Sequence, residues 1–258
     1  RERIDTIIVD GGDGTVRDVL SLAPRHFTQG LPRMAVVPSG KTNALAVDLG
    51  IARRWTVREV LSSLSRWKAV RRSPLEIRYD GAVEPRLRGF LFGTGAFVRA
   101  TNLAQSVHRA GAFNGLAVGL SLAGAVGQTL FGGPDNVWRK GDAVTLELPD
   151  GRGVEREFYL LLGSTLEKLP LGLKPFGQVR AGLKLLGVDA PPRRMFLSAP
   201  ALLTGSEREW LSDAGYKRAD TDSFRLRIDS GFVLDGETFP GGDLNVTRGA
   251  PIDFLVPA

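Results

Sequence analysis

Residues Ile7-Ile8-Val9-Asp10-Gly11-Gly12-Asp13-Gly14-Thr15 constrain this chain more than any other stretch. Ile4 to Val9 is an apolar, β-branched run of the length a buried strand needs, and it stops at glycines clustered around one carboxylate. Val16, Val19 and Leu20 follow at helical spacing. Strand, tight turn and helix N-terminus in that order leave backbone N–H groups and the positive end of a helix dipole facing whatever lies over the turn. A phosphate fits there. A carboxylate beside such a site repels an anion unless a metal ion bridges the two or the carboxylate takes a proton from a nucleophile, so Asp13 points to phosphoryl transfer. Taken alone, the same residues also suit an ordinary loop.

A second stretch repeats the pattern. Met34 to Val37 is a short apolar strand that runs into Pro38-Ser39-Gly40-Lys41-Thr42-Asn43, and Leu45 and Leu49 then share one helix face with Thr42 or Asn43 as the N-cap. Two strand-turn-helix units in tandem predict a parallel sheet with both turns at its carboxyl edge, where α/β proteins bind ligands. Ala35 to Thr42 also has the spacing of a loosened Walker A loop, but the good strand would then occupy the turn itself.

A third element, Val233-Leu234-Asp235-Gly236-Glu237, lies near the end. With Gly11-Gly12-Asp13-Gly14-Thr15 and Pro38-Ser39-Gly40-Lys41-Thr42-Asn43 it resembles, in the right order, the G-G-D-G-T, P-x-G-T-x-N and D-G-E motifs of the lipid kinase family that includes diacylglycerol and sphingosine kinases and their bacterial relatives. The resemblance implies an α/β nucleotide-binding domain with a parallel sheet, of the NAD kinase and diacylglycerol kinase type, over residues 1–72. A β-rich, antiparallel, sandwich-like lipid-substrate domain would follow over residues 73–258, with its last strand returning to the first domain and the active site in the cleft between them. It assigns Gly11, Gly12, Gly14, Thr15, Gly40, Lys41, Thr42 and Asn43 to ATP. Asp13 would orient Mg²⁺ or act as base, and Asp235 and Glu237 would be the other candidate bases. In the family further elements precede the first motif, so the resemblance implies an N-terminal part upstream of Arg1.

Three positions depart from the family pattern. Asp18 stands where glutamate is usual, and Lys41 puts a flexible point charge where a threonine hydroxyl is usual. Ala181-Gly182-Leu183-Lys184 occupies the place of an Asp-Gly-x-Leu turn that helps hold a structural metal, and alanine offers no oxygen ligand to a hard cation, so that site is expected to be missing.

Elsewhere, Thr56-x-x-Glu59 and Ser206-x-x-Glu209 read as capping boxes, the first opening a helix through Val60 and Leu64 to Trp67. Leu75 to Tyr79, Arg88 to Phe92 closed by Gly93-Thr94-Gly95, a hairpin of 143–148 with 155–162, and 224–228, 232–234, 244–246 and 252–256 read as strands. Thr101 to Arg109 and Gly115 to Phe131 read as helices; the latter is too short and glycine-broken to span a membrane and reads as a packed helix. Leu169 to Phe176 resembles the family's segment facing the cleft.

The chain of 258 residues has a formal net charge of +6, which favours anionic partners. Its basic clusters, Arg66 to Arg72 and Arg193-Arg194 among them, read as solvated faces, and no basic-aromatic signature for nucleic acid accompanies them. There is no cysteine, and His26 and His108 share no motif with metal-ligand spacing. The resemblance implies a cytoplasmic ATP- and Mg²⁺-dependent lipid kinase acting on lipid at a membrane surface, with peripheral contact at the inner face. An NAD kinase-like enzyme, or an inactive nucleotide- or lipid-binding regulator, are the competing classes.

Overall fold

In the computed structural model, residues 4–51, 55–62, 66–109, 136 and 139–257 are described. The first elements are β1 (Thr6–Gly11), α1 (Asp13–Leu22), β2 (Arg33–Pro38), α2 (Ala44–Leu49), α3 (Val57–Ser62) and β3 (Trp67–Arg72). Then come β4 (Leu75–Tyr79), β5 (Leu87–Gly89), β6 (Leu91–Gly95), α4 (Ala96–Arg109), β7 (Asp142–Glu147), β8 (Gly153–Ser164) and β9 (Leu183–Asp189). The chain continues through α5 (Met195–Leu203), α6 (Glu209–Asp213), β10 (Tyr216–Thr221) and β11 (Ser223–Ile228). It closes with β12 (Phe232–Leu234), β13 (Glu237–Phe239), β14 (Gly242–Arg248) and β15 (Ile252–Pro257).

Two sheets divide these strands. The smaller has the order β1-β2-β15-β3, in which β1, β2 and β15 run parallel and β3 is an antiparallel edge. Register sets Gly11 opposite Pro38, so the turns that follow β1 and β2 leave the sheet side by side. The larger sheet is antiparallel, with the path β13-β12-β6-β8-β7-β11-β14-β4-β5 and β9 and β10 branching from β8. The final strand thus crosses back from the second sheet to lie inside the first.

Each sheet has its own core. Val16 and Leu20 of α1, Leu45 and Leu49 of α2 and Val60 of α3 bury against Val36 and Phe254 of the small sheet. Full burial of a side chain such as Phe254 contributes on the order of 2 kcal/mol. In β11 the alternation of Phe224, Leu226 and Ile228 with Arg225 and Arg227 sends the apolar set inward. There Phe224 and Phe232 pack against Phe92 with ring centroids 5.9 and 5.2 Å apart. A third cluster, including Leu202, Leu211 and Tyr216, covers the opposite face of β8 and β9.

Several expectations need correction. Trp67 opens β3 and is not the end of the preceding helix, because residues 67 to 72 pair with 252 to 257 and strand pairing overrides a weak helical pattern. The strand expected over 88–92 is broken at Phe90, whose N–H is taken by the Asp235 carboxylate, and Gly93-Thr94-Gly95 is the end of β6 rather than a loop. The Thr56-x-x-Glu59 box forms, with Thr56 N–H donating to Glu59 at 2.7 Å. The Ser206 box does not: α6 begins after Arg208, and the Ser206 carbonyl accepts Arg218 Nη1 at 2.6 Å. Strands β9 and β10 and helix α5 were not anticipated. The helix expected over 115–131 and the side chain of His108 lie outside the described residues. His26 is exposed.

Polar links join the sheets, among them a hydrogen bond from the Arg88 N–H of β5 to the Ser21 hydroxyl of α1 at 2.9 Å. Asp48 of α2 has a fully buried side chain. Its Oδ1 accepts the N–H groups of Glu167 and Lys168 at 2.8 and 2.7 Å, and its Oδ2 accepts Arg72 Nε at 2.5 Å. Arg72 donates onward to Glu167 at 3.0 Å, so this member of the basic cluster is a buried strut and not a solvated charge. On the other side Arg17 of α1, only 6% exposed, donates to the Leu234 carbonyl at 3.2 Å and lies over the Phe239 ring. Removing one partner of a buried charge pair leaves the other uncompensated. Asp48→Ala is therefore expected to lower unfolding free energy by about 3 to 5 kcal/mol, read from urea denaturation.

Candidate active site

The three motifs meet where the sheets join. Gly12 is the N-cap of α1 and Asp13 its first residue, so the free N–H groups of a ten-residue helix open directly onto the glycine turn. The neighbouring loop is closed by Asn43, whose side chain accepts the Gly40 N–H at 2.9 Å and donates to the Gly40 carbonyl at 2.6 Å. These two loops touch backbone to backbone. A Cβ placed on Gly40 would lie 2.4 Å from the Gly12 Cα and 2.7 Å from Asn43 Oδ1, so only glycine fits. Thr15, Lys41 and Thr42 are exposed on the rim, and Gly11 and Gly14 are partly covered.

Asp13 does more than sit at the tip of its turn. Its two oxygens accept the N–H groups of Ala44 and Leu45 at 2.9 and 3.1 Å, which makes it the cap of α2 from across the sheet. The expectation that Thr42 or Asn43 caps this helix is thus corrected. Asn43 holds the N-cap position in a left-handed conformation (φ 51°), but its side chain turns back to Gly40. One lone pair on each Asp13 oxygen is left for other partners.

Asp235 and Gly236 both have positive φ, 47° and 82°, and form the two-residue turn between β12 and β13. The Asp235 side chain folds inward, accepting Leu91 N–H at 2.9 Å and Phe90 N–H at 3.0 Å. Burial pushes its carboxyl up to about 7; the charge of Asp13 pushes the same way, while the Leu91 and Phe90 N–H groups and Arg17 pull it down. Asp13 and Asp235, 222 residues apart in sequence, are therefore within electrostatic reach of one another. Glu237 is exposed on β13, on the outer side of the turn.

Two residues at this junction were not anticipated. Arg17 lies three positions before the buried Leu20, so the helix turns it inward, and it pairs with Asp18 at 2.7 Å. Asp10 accepts the Ser39 hydroxyl, tying the first turn to the second. Among the described residues no group of three or more His, Cys, Asp or Glu side chains could hold a metal ion. At the Ala181-Gly182 turn, Lys184 is 3% exposed and its Nζ donates to the Arg180 and Gly182 carbonyls at 3.0 and 3.1 Å. Burial pushes this ammonium down to about 8, against the pull of Asp48, Glu167 and Asp220. A cation supplied by the chain itself thus binds the carbonyls of that turn.

This architecture is the fold of the diacylglycerol kinases and NAD kinases. A diacylglycerol kinase from Bacillus anthracis superposes with a TM-score of 0.64 at 17% identity, over 98% of this chain and 77% of that one. A candidate diacylglycerol kinase from the same organism gives 0.65 at 16% identity, over 98% and 78%. Yeast NADH kinase complexed with NADH gives 0.50 at 11% identity, over 99% and 62%. Residues 1–73, which carry the first two motifs, match the family model of the diacylglycerol kinase catalytic domain. No curated protein matches the chain. The family match agrees with the recognition made from the motifs where it covers the first two of them, and the structural likeness is one of fold.

The raised Asp235 pKa has a consequence for stability. Between its unfolded value near 3.8 and about 7 the native state binds more protons than the unfolded one, so this group's contribution is lost as pH rises through that window. In Asp235→Asn that loss is absent. Its stability relative to the wild type should rise between pH 4 and 7 by up to about 1.4 kcal/mol per pH unit, measured by urea denaturation across the range.

Proposed function

We propose that the chain is an ATP-dependent lipid kinase that transfers the γ-phosphoryl group to the hydroxyl of a diacylglycerol-like or sphingoid lipid. The observation that carries this reading is Asp235, a half-buried carboxylate with its pKa raised to about 7, held beside Asp13 and the glycine turn at the N-terminus of α1. A general base works best when its pKa lies near the working pH.

In this reading the N–H groups at the start of α1, with Gly11, Gly12, Gly14 and Thr15, and the loop of Gly40, Lys41, Thr42 and Asn43 receive the ATP phosphates. The lipid hydroxyl attacks the γ-phosphorus in line; the new O–P bond forms as the bond to the ADP oxygen breaks, and the hydroxyl proton passes to Asp235. Glu237, exposed on the same turn, is the second choice of base. Mg²⁺ bound with the nucleotide would neutralise phosphate charge. Asp13, with a lone pair left on each oxygen, is the carboxylate beside the turn that would hold it, since Mg²⁺ needs only one or two carboxylates alongside phosphates and water.

An NAD kinase-like activity is the second reading, favoured by the fold shared with yeast NADH kinase. The D-G-E turn and the order P-x-G-x-x-N favour the lipid acceptor. Phosphate transfer from Mg²⁺-ATP should be assayed against mixed micelles of diacylglycerol, monoacylglycerol, sphingosine or undecaprenol, with NAD as the comparison. Transfer to NAD alone would reverse the choice, and ATP binding without transfer to any acceptor would make the chain a binding protein.

With Asp235 as base, kcat is expected to rise between pH 6 and 8 with a midpoint near 7. Asp235→Asn should lose about 10²- to 10⁴-fold in kcat with the protein still folded. Asp13→Asn removes the charge that helps raise Asp235, so the midpoint of any residual activity should move to lower pH.

A further inference from the structure

We propose that α5 and the preceding segment 168–174 form a surface that docks onto an anionic phospholipid bilayer. The proposal rests on the lipid-kinase reading only for why such a surface would be present. Helix α5 has the sequence Met-Phe-Leu-Ser-Ala-Pro-Ala-Leu-Leu, in which Ser198 is the one polar residue, and Ser198 is buried with its hydroxyl donating to the Arg193 carbonyl. Ser198 and Leu202 face the third core cluster. On the other side Phe196, Pro200 and Leu203 recur at helical spacing and face outward, so the exposed stripe carries no hydrogen-bonding side chain.

The exposures are large for such residues: Phe196 is 55% exposed, Leu197 67% and Leu203 40%. Segment 168–174 joins this stripe where the Lys174 N–H donates to the Leu203 carbonyl at 2.8 Å, and it adds Leu171 at 94% and Leu173 at 37%. Single exposed leucines need no explanation, but a contiguous group of this kind does. A helix apolar on every side is normally buried in a core or in lipid.

Charge selects the occupant. Residues 168–188 and 190–206 contain no aspartate or glutamate, and Lys168, Lys174, Arg193 and Arg194 are all exposed around the apolar stripe. Of the flanking acids, Glu167 pairs with Arg72 at 3.0 Å and Glu207 with Arg180 at 3.7 Å, so the remaining charge around the apolar side chains is positive and matches the acyl boundary and negative headgroups of an anionic leaflet. The surface also lies beside the candidate site. Residues 170–172 pack against α2, whose N-terminus Asp13 caps, and the Lys168 N–H is bound by Asp48 of the same helix. A bilayer docked here would lie next to the loops assigned to the nucleotide. An acceptor lipid would then have a short path from leaflet to base.

The test is flotation of the full chain, without nucleotide, with vesicles of phosphatidylcholine alone or enriched in phosphatidylglycerol. Wild type should float with the anionic vesicles. Phe196→Ser with Leu197→Ser should weaken that partition at least ~10-fold, and Arg193→Glu with Arg194→Glu should abolish the preference for anionic over neutral vesicles. Circular dichroism checks that each variant is folded, and transfer to a short-chain lipid held below its micelle concentration should be unchanged. No flotation of wild type, or equal flotation of the variants, would overturn the proposal. So would a wild-type oligomer that the serine substitutions dissociate without loss of vesicle binding, since the surface would then contact protein. Vesicle binding without phosphate transfer to any lipid removes the kinase reading and leaves this surface standing; transfer without vesicle binding does the reverse.

Discussion

The hydrogen bonds from Ala44 and Leu45 to the Asp13 carboxylate are the contact on which the candidate site depends. Asp13 belongs to the first helix and caps the second by taking the N–H groups of Ala44 and Leu45, so it fixes the separation of the two helix N-termini. The glycines around it follow from that closeness. Gly40 has no room for a side chain and Gly12 little, because their backbones meet, and Asn43 keeps the N-cap position while its side chain closes its own loop. A residue that sequence alone marks as purely chemical is thus also the mechanical link between the two glycine turns.

Around that link the two sheets are joined by charge. Arg17 reaches the D-G-E strand from α1, and Asp48 gathers Arg72 of β3 and the adjacent Glu167 and Lys168. Beside the Asp48 junction, Lys184 donates hydrogen bonds to the Arg180 and Gly182 carbonyls of its own segment. A lysine can do locally what a bound cation does, satisfying carbonyl oxygens with positive charge, but its charge is fixed in sequence and costs desolvation, hence its lowered pKa. At Ala181-Gly182-Leu183-Lys184 it is the Lys184 ammonium that satisfies the Arg180 and Gly182 carbonyls.

Local chemistry was legible in the sequence where it was self-contained. The β-branched run of β1, the alternation in β11 and the Thr56 capping box each state their structure within a few residues, and the three motifs together indicated the fold. What was not legible depends on distant partners. Trp67 joins a strand because β15 returns to pair with it, and the run from Leu87 to Gly95 divides into β5 and β6 at Phe90, whose N–H goes to Asp235, 145 residues away. Asp13 as the cap of α2, and Arg17 as a buried strut, are contacts that no spacing rule encodes. The nearest signal was Arg17's position on the apolar face of α1.

In the proposed lipid-kinase reading, with Asp235 as the base, the electrostatics of Asp235 would give Lys41 a physical role. Burial and Asp13 already hold the Asp235 carboxyl near neutrality, and a polyphosphate brought to the same turns would push it higher, since like charge disfavours the carboxylate. A base that stayed protonated could not accept the hydroxyl proton. The α1 dipole offsets part of that charge, and a metal ion carried with the nucleotide offsets more. Lys41 adds a full positive charge on a loop whose backbone touches Gly12, where a hydroxyl could give only a hydrogen bond. In that reading Lys41 would supply charge compensation in place of a directional contact, which a base beside a second carboxylate needs.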